Sequence, residues 1–141
     1  MKLVVVAAGK LREAWVKEAC EEYTRRIGRH LGIEVVEVKD AAALGARVPP
    51  RFRLVALDEK GQAPTSRELA DKLERWMGSA VPGVCFVIGD ADGLPRGLVA
   101  RADEVLSLSR LTLPHRLARV VLCEQLYRAL SIVRREPYHR D

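Results

Sequence analysis

Two stretches of this 141-residue chain place glycines or alternating polar residues at the end of an apolar run. An α/β protein keeps its ligand chemistry at such places. The first stretch is Phe86-Val87-Ile88-Gly89-Asp90-Ala91-Asp92-Gly93-Leu94. Its glycines let the backbone turn sharply and come close to a ligand. The second is Leu106-Ser107-Leu108-Ser109-Arg110-Leu111-Thr112-Leu113-Pro114-His115. Such alternation can present backbone amides to the edge of a purine while leucines cover its faces. At the C-terminus, Arg134, Arg135, Tyr138, His139 and Arg140 combine a Tyr-His pair with flanking arginines. That composition can stack on an unpaired base and hold phosphates.

These stretches need a frame. Residues 2–8 read as a buried, valine-rich strand ended by Gly9. Residues 13–27 read as an amphipathic helix, with Val16, Ala19, Cys20, Tyr23 and Ile27 on one face. A second strand spans 34–39, and 41–50 is a linker with weak helical character, stopped by Pro49-Pro50. A third strand covers 53–58, and residues 59–62 turn the chain. Thr65 and Glu68 have capping-box spacing ahead of a helix whose face carries Leu69, Leu73, Trp76 and Met77. Residues 84–89 are apolar on both faces, as in a central parallel strand. Pro95 suits the first turn of a short helix to about Arg101, and 104–108 is a fifth strand. Residues 116–134 form a long helix, apolar almost all round, which therefore expects burial on more than one side. Glu124 and Arg128 can pair along it. The alternation of strands and helices predicts a single α/β domain: a parallel sheet with helices on both faces. The two glycine-bearing or alternating loops then lie side by side at strand carboxyl ends, as one ligand site.

Several functions are disfavoured. No G-x-G-x-x-G follows a strand, and there is no Walker A sequence or G-x-S-x-G elbow. His30, His115 and His139 are scattered, and Cys20, Cys85 and Cys123 lack metal spacing, so no metal is expected. The cysteines fall in apolar surroundings and read as buried, reduced thiols. No apolar run approaches the roughly 20 residues of a membrane helix, and a cytoplasmic protein is expected. The net charge is +5, and 18 of the 24 basic residues are arginine, which supports an anionic partner weakly.

Taken together, Ile88-Gly89…Gly93, Leu106-Ser107-Leu108-Ser109…Leu111-Thr112-Leu113-Pro114-His115, Arg119-Val120…Glu124-Gln125-Leu126-Tyr127-Arg128-Ala129 and Pro137-Tyr138-His139-Arg140 resemble the SPOUT-class methyltransferases. Within that class the chain is similar to the 23S ribosomal RNA (pseudouridine-N3)-methyltransferase family. Met1-Lys2-Leu3 and Leu54-Val55-Ala56-Leu57-Asp58 carry the likeness as well. It spans essentially all of 1–141 as a single domain. One position departs: Asp90 stands where the family usually has a second glycine.

The resemblance implies a C-terminal trefoil knot over about 84–141, an unusual exception to unthreaded connections. It implies S-adenosylmethionine (SAM) as cofactor, bound mainly through backbone atoms by Leu57, Gly89, Leu108, Ser109, Arg110, Leu111, Thr112 and Leu113. The product would be N3-methylated pseudouridine in 23S rRNA. The partners would be 23S rRNA, in the large subunit or the assembled ribosome, and a second copy in a homodimer. N3 carries a proton at neutral pH, so a base is needed. His139 is the first candidate and Asp92 the second. Arg110, Arg119, Arg135 and Arg140 are candidates for phosphate contacts, and Tyr138 for the target base. Two rival classes are a non-catalytic RNA- or ribosome-binding module of the same fold and a flavodoxin-like domain binding another nucleotide.

Overall fold

Valine-rich runs dictate the frame of the molecule, seen in a computed structural model that describes residues 1–138. The elements are β1 (Lys2–Ala8), α1 (Ala14–Gly28), β2 (Gly32–Val38), β3 (Arg53–Gln62), α2 (Ser66–Met77), β4 (Gly83–Ile88), α3 (Arg96–Arg101), β5 (Glu104–Leu106) and α4 (His115–Val133). The linker after β2 forms two short 3-10 turns, Ala41–Ala43 and Gly45–Arg47. The strands make one sheet in the order β2-β1-β4-β3-β5, with every pairing parallel. β4 is central and wholly buried, as its two-sided apolar run requires.

Alternate strand residues feed two cores. On one face Leu3, Val5, Val55, Phe86 and Ile88 pack with Leu69, Leu73 and Trp76 of α2 and with Leu122, Leu126 and Leu130 of α4. On the other, Val4, Val6, Ala56, Cys85 and Val87 meet Leu44 from the linker and Leu98 of α3. Helices therefore cover both faces, but the second cover is thin. α4 contacts both α1 and α2, which accounts for much of its all-round apolar character. A third cluster joins Val16 and Cys20 of α1 to Cys123 of α4 and Leu11.

Local chemistry matches the elements. Thr65 accepts a hydrogen bond from the Glu68 amide at 3.1 Å, and Glu68 accepts from the Thr65 amide at 2.8 Å, closing the capping box. All three cysteines are free and buried, and burial pushes the Cys85 thiol up to about 12. Three expectations change. β3 continues through the expected turn at 59–62, because Gln62 returns to pair with Leu106. β5 ends at Leu106, two residues early, where the next loop begins. Met77, the last residue of α2, is exposed, while Leu69, Leu73 and Trp76 are buried. Among the described residues no helix is long and apolar enough to cross a membrane.

Candidate active site

Parallel pairing brings the carboxyl ends of β3, β4 and β5 to one edge of the sheet. The segments leaving them enclose a cavity of about 970 Å³. Its wall takes Leu57 and residues 58–60 from β3, residues 89–94 from the turn after β4, and most of the loop after β5. Arg96, Val99 and Ala100 of α3, with His115 and Ala118 of α4, complete it.

The β4 turn is held by its glycines. The Gly93 amide donates to the Asp90 carbonyl at 2.9 Å, and Gly93 has a φ of +82°, a left-handed conformation that favours glycine. A Cβ on Gly89 would sit 2.5 Å from the Gly93 oxygen, so the turn closes only over a bare backbone. Asp90 fits without strain. Its φ is not left-handed, and its carboxylate accepts from the Asp92 amide at 2.9 Å, stabilising the turn. The Asp90 side chain is thus built into the turn. Asp92 is exposed and lines the cavity.

The loop after β5 is organised by alternate residues. The Ser107 amide donates to the Gln62 carbonyl at 2.7 Å. The buried Ser107 hydroxyl donates to the Ser109 carbonyl at 2.7 Å and accepts from the Ser109 amide at 3.4 Å. The Ser109 hydroxyl accepts from the Leu111 amide at 2.9 Å. The amides of Ser107, Ser109 and Leu111 thereby shape the loop. Among the described residues, the amides of Leu108, Arg110, Thr112 and Leu113 donate to no protein group. Leu111 is 77% exposed, an apolar side chain at the cavity wall. Unpaired amides beside apolar side chains suit a flat heteroaromatic ring with hydrogen-bonding edges.

Of the residues expected to hold a cofactor, Leu57, Gly89, Leu108, Ser109, Leu111, Thr112 and Leu113 line this cavity. Arg110 is exposed and stands outside its wall. Sequence reasoning did not single out Asp58, Glu59, Lys60, Arg96 or His115, which also line it. Their position at or just past the expected end of the third strand was the available signal for the first three. Four carboxylates, Asp58, Glu59, Asp90 and Asp92, face the cavity against Lys60 and Arg96. This excess of negative charge suits a cationic ligand.

Arg119 is a correction. It was expected at RNA phosphates, yet it is 4% exposed. Its guanidinium donates to the Glu37 carboxylate at 2.5 Å, to the Ala8 carbonyl at 3.0 Å and to the Gly9 carbonyl. Glu37 also accepts from the Leu11 amide at 2.9 Å. Burial works to raise the Glu37 pKa, but these donors outweigh it and hold the carboxyl below its ordinary value. Arg119 is therefore the staple that fixes the β1–α1 loop to α4.

The tail begins on a network of its own. Glu124 accepts from the Gln125 amide group at 2.7 Å, from Arg128 at 3.0 and 2.6 Å, and from the Tyr138 hydroxyl at 2.8 Å. The expected Glu124–Arg128 pair is thus present within a larger cluster. The Tyr138 ring packs edge-on to Tyr127, with centroids 4.6 Å apart, and Arg128 lies over it at 5.0 Å. Burial and the hydrogen bond to Glu124 raise the Tyr138 pKa, so the phenol stays protonated. Arg135 is exposed with a φ of 58°. His139 and Arg140 lie outside the described residues.

The comparisons agree with this architecture. The family model described as predicted SPOUT methyltransferase matches residues 1–139. A protein of Anaeromyxobacter sp. (strain Fw109-5), named ribosomal RNA large subunit methyltransferase H, is 46% identical over 99% of this chain and 100% of its own length. A protein of the same name from Methylobacillus flagellatus is 44% identical, with both chains fully covered. Among solved structures, a probable methylase family protein from Haemophilus influenzae Rd KW20 superposes with a TM-score of 0.59 at 11% identity, over 99% of this chain and 70% of its own. A SpoU methyltransferase from Streptomyces viridochromogenes, solved in complex with AdoMet, superposes at 0.52 and 14% identity, over 90% and 57%. These two share the fold.

Proposed function

The chain belongs to the SPOUT methyltransferase family, and on that premise we propose that it transfers the methyl group of SAM to N3 of a pseudouridine in 23S rRNA. The observation that carries the cofactor assignment is that Leu108, Thr112 and Leu113, whose amides donate to no described protein group, line a cavity of about 970 Å³. The relatives named for methylation of large-subunit rRNA, which this chain matches over 99–100% of its length, support the substrate.

The residues present fit the cofactor. Leu108, Thr112 and Leu113 would meet the adenine edge with backbone amides, Leu57 and Leu111 would cover its faces, and the β4 turn at Gly89 would border the rest. SAM, when bound, supplies a methyl group already activated by its sulfonium. The protein's task is then positioning, because the acceptor nitrogen, methyl carbon and sulfur must lie in line. Asp58, Glu59, Asp90 and Asp92 would favour the cationic cofactor over its neutral product. N3 must lose a proton, and His139 is the proposed base with Asp92 as the second candidate. Arg135, Arg140 and the exposed Arg110 would contact phosphates, while Tyr138, tied to Glu124, sets where the tail starts and approaches the base. The target nucleotide would be splayed out of its loop so that N3 becomes reachable.

The fold reading extends to a trefoil knot within about 84–141 and to a cytoplasmic homodimer. Leu117, Val120 and Val121 of α4 remain only half-buried and Trp15 is exposed, which leaves apolar surface for a second copy.

Mass spectrometry of 23S rRNA from a deletion strain tests the substrate: one methyl group on one pseudouridine should disappear. Calorimetry with SAM, using FMN for comparison, tests the cofactor. A folded protein that binds no SAM would return the non-catalytic module as the better reading. His139→Ala should abolish transfer to ribosomal particles and leave SAM binding intact. Unchanged turnover would remove His139 from the chemistry.

A further inference from the structure

β3 makes an excursion beside the cavity. Leu57 and Gln62 both pair with Leu106 of β5, so residues 58–61 loop out between two residues that grip one partner. Asp58, Glu59 and Lys60 of this excursion line the cavity, shaped by the Asp58 carboxylate accepting from the Lys60 amide at 2.8 Å. Its inner end is Gly61, pressed onto the Val105–Leu106 peptide. A Cβ there would stand 2.6 Å from the Val105 oxygen, 2.7 Å from its carbonyl carbon and 2.9 Å from the Leu106 nitrogen. No left-handed φ is involved, so proximity alone demands glycine. Every atom it would strike is backbone, and no side chain can swing aside.

We propose that Gly61 is a positioning residue for the cofactor: its bare backbone lets β3 return onto β5 and so fixes the loop whose amides hold the adenosine. This rests on the reading of the cavity as the SAM site. The mechanical path is short. Gly61 precedes Gln62, whose carbonyl accepts from the Ser107 amide at 2.7 Å. Ser107 sets Ser109 through its hydroxyl, and Ser109 sets Leu111 through its own. A side chain at 61 pushes β5 from β3, moves Ser107, and turns the amides of Leu108 and Thr112 off the ligand. β5 is a three-residue strand at the sheet's edge, so its displacement leaves the pairings among β2, β1, β4 and β3 in place.

The test is Gly61→Ala, with Gly78→Ala as control. At Gly78, beyond α2, a Cβ meets only ordinary contacts at 3.6 and 3.8 Å. Calorimetry with SAM, S-adenosylhomocysteine and adenosine should show all three weakened about tenfold or more in Gly61→Ala, and none in Gly78→Ala. Equal losses follow if the defect lies where adenosine is held. In methyl-transfer assays on ribosomal particles the KM for SAM should rise by the same factor, with kcat at saturating SAM within about twofold of wild type. Wild-type affinity in a folded Gly61→Ala protein would overturn the proposal, and so would an equal loss in Gly78→Ala. If Gly61→Ala does not fold, Ser107→Ala decides. It cuts the next link without a clash, and unchanged SAM affinity there would also overturn the proposal. Wild-type protein that binds adenosine but not SAM would sink the cofactor reading instead.

Discussion

Replacing Arg119 with Met keeps the bulk of the arginine stem and removes its guanidinium, and the consequence can be worked from its contacts. Glu37 loses its buried cation, and the Ala8 and Gly9 carbonyls lose a charged donor. Breaking one side of a fully buried ion pair costs about 3–5 kcal/mol. The Glu37 side chain is 36% exposed and keeps the Leu11 amide, so water and that donor relieve part of the remaining charge. The two carbonyls add about 1 kcal/mol or more between them when they lose their partner. A net loss of about 3 kcal/mol follows, or about 10 °C in Tm for a chain of this size. Urea unfolding at fixed protein concentration measures it, and a double-mutant cycle with Glu37→Gln isolates the ion pair. The coupling should be about 1–2 kcal/mol. Binding to ribosomal particles, compared at several salt concentrations, should keep its wild-type salt slope, because a buried arginine neutralises no phosphate. A loss under about 1 kcal/mol together with a shallower salt slope would refute the reasoning and restore Arg119 as an RNA ligand.

Two further outcomes are expected. Thr65→Ala removes one half of the capping box and should cost about 1 kcal/mol by thermal or urea unfolding, with SAM affinity unchanged. Glu104 accepts from Lys72 at 2.8 Å and Arg53 at 3.2 Å. Its burial works to raise the carboxyl pKa, but those two cations overcome it and hold the value below the ordinary 4.5. A carboxyl depressed in the folded state contributes its full stability above its unfolded pKa and loses it as pH falls through the folded value. The stability gap between wild type and Glu104→Gln should therefore be constant near neutrality and shrink below about pH 4.5. A gap that stays constant from pH 7 to about pH 3 would show that packing, not charge, sets it.

Much of the frame was legible because local rules and tertiary needs agree. The doubly apolar run at β4 reads as a central strand and is one, and the Thr65–Glu68 spacing reads as a cap and forms one. The two loops could be paired in advance because carboxyl ends of parallel strands gather on one edge. Other features had no local signal. Residues 59–62 look like a turn, and they become part of β3 only because Leu106, distant in sequence, offers a partner to Gln62. Arg119 in a basic, RNA-like context reads as a phosphate ligand, but burial of a guanidinium depends on acceptors from β1 and β2 that lie 82 to 111 residues away.

Element order, apolar faces and the composition of both cavity loops can be read along the chain, because periodicity, capping and glycine placement act over a few residues. How those loops are set follows from the folded molecule. It seated Gly61 on the Val105–Leu106 peptide and hung the 107–113 loop from Gln62. It also spent Arg119 on the β1–α1 loop and placed Asp90 harmlessly within its turn. Each of these depends on distances between strands, which a linear pattern does not contain.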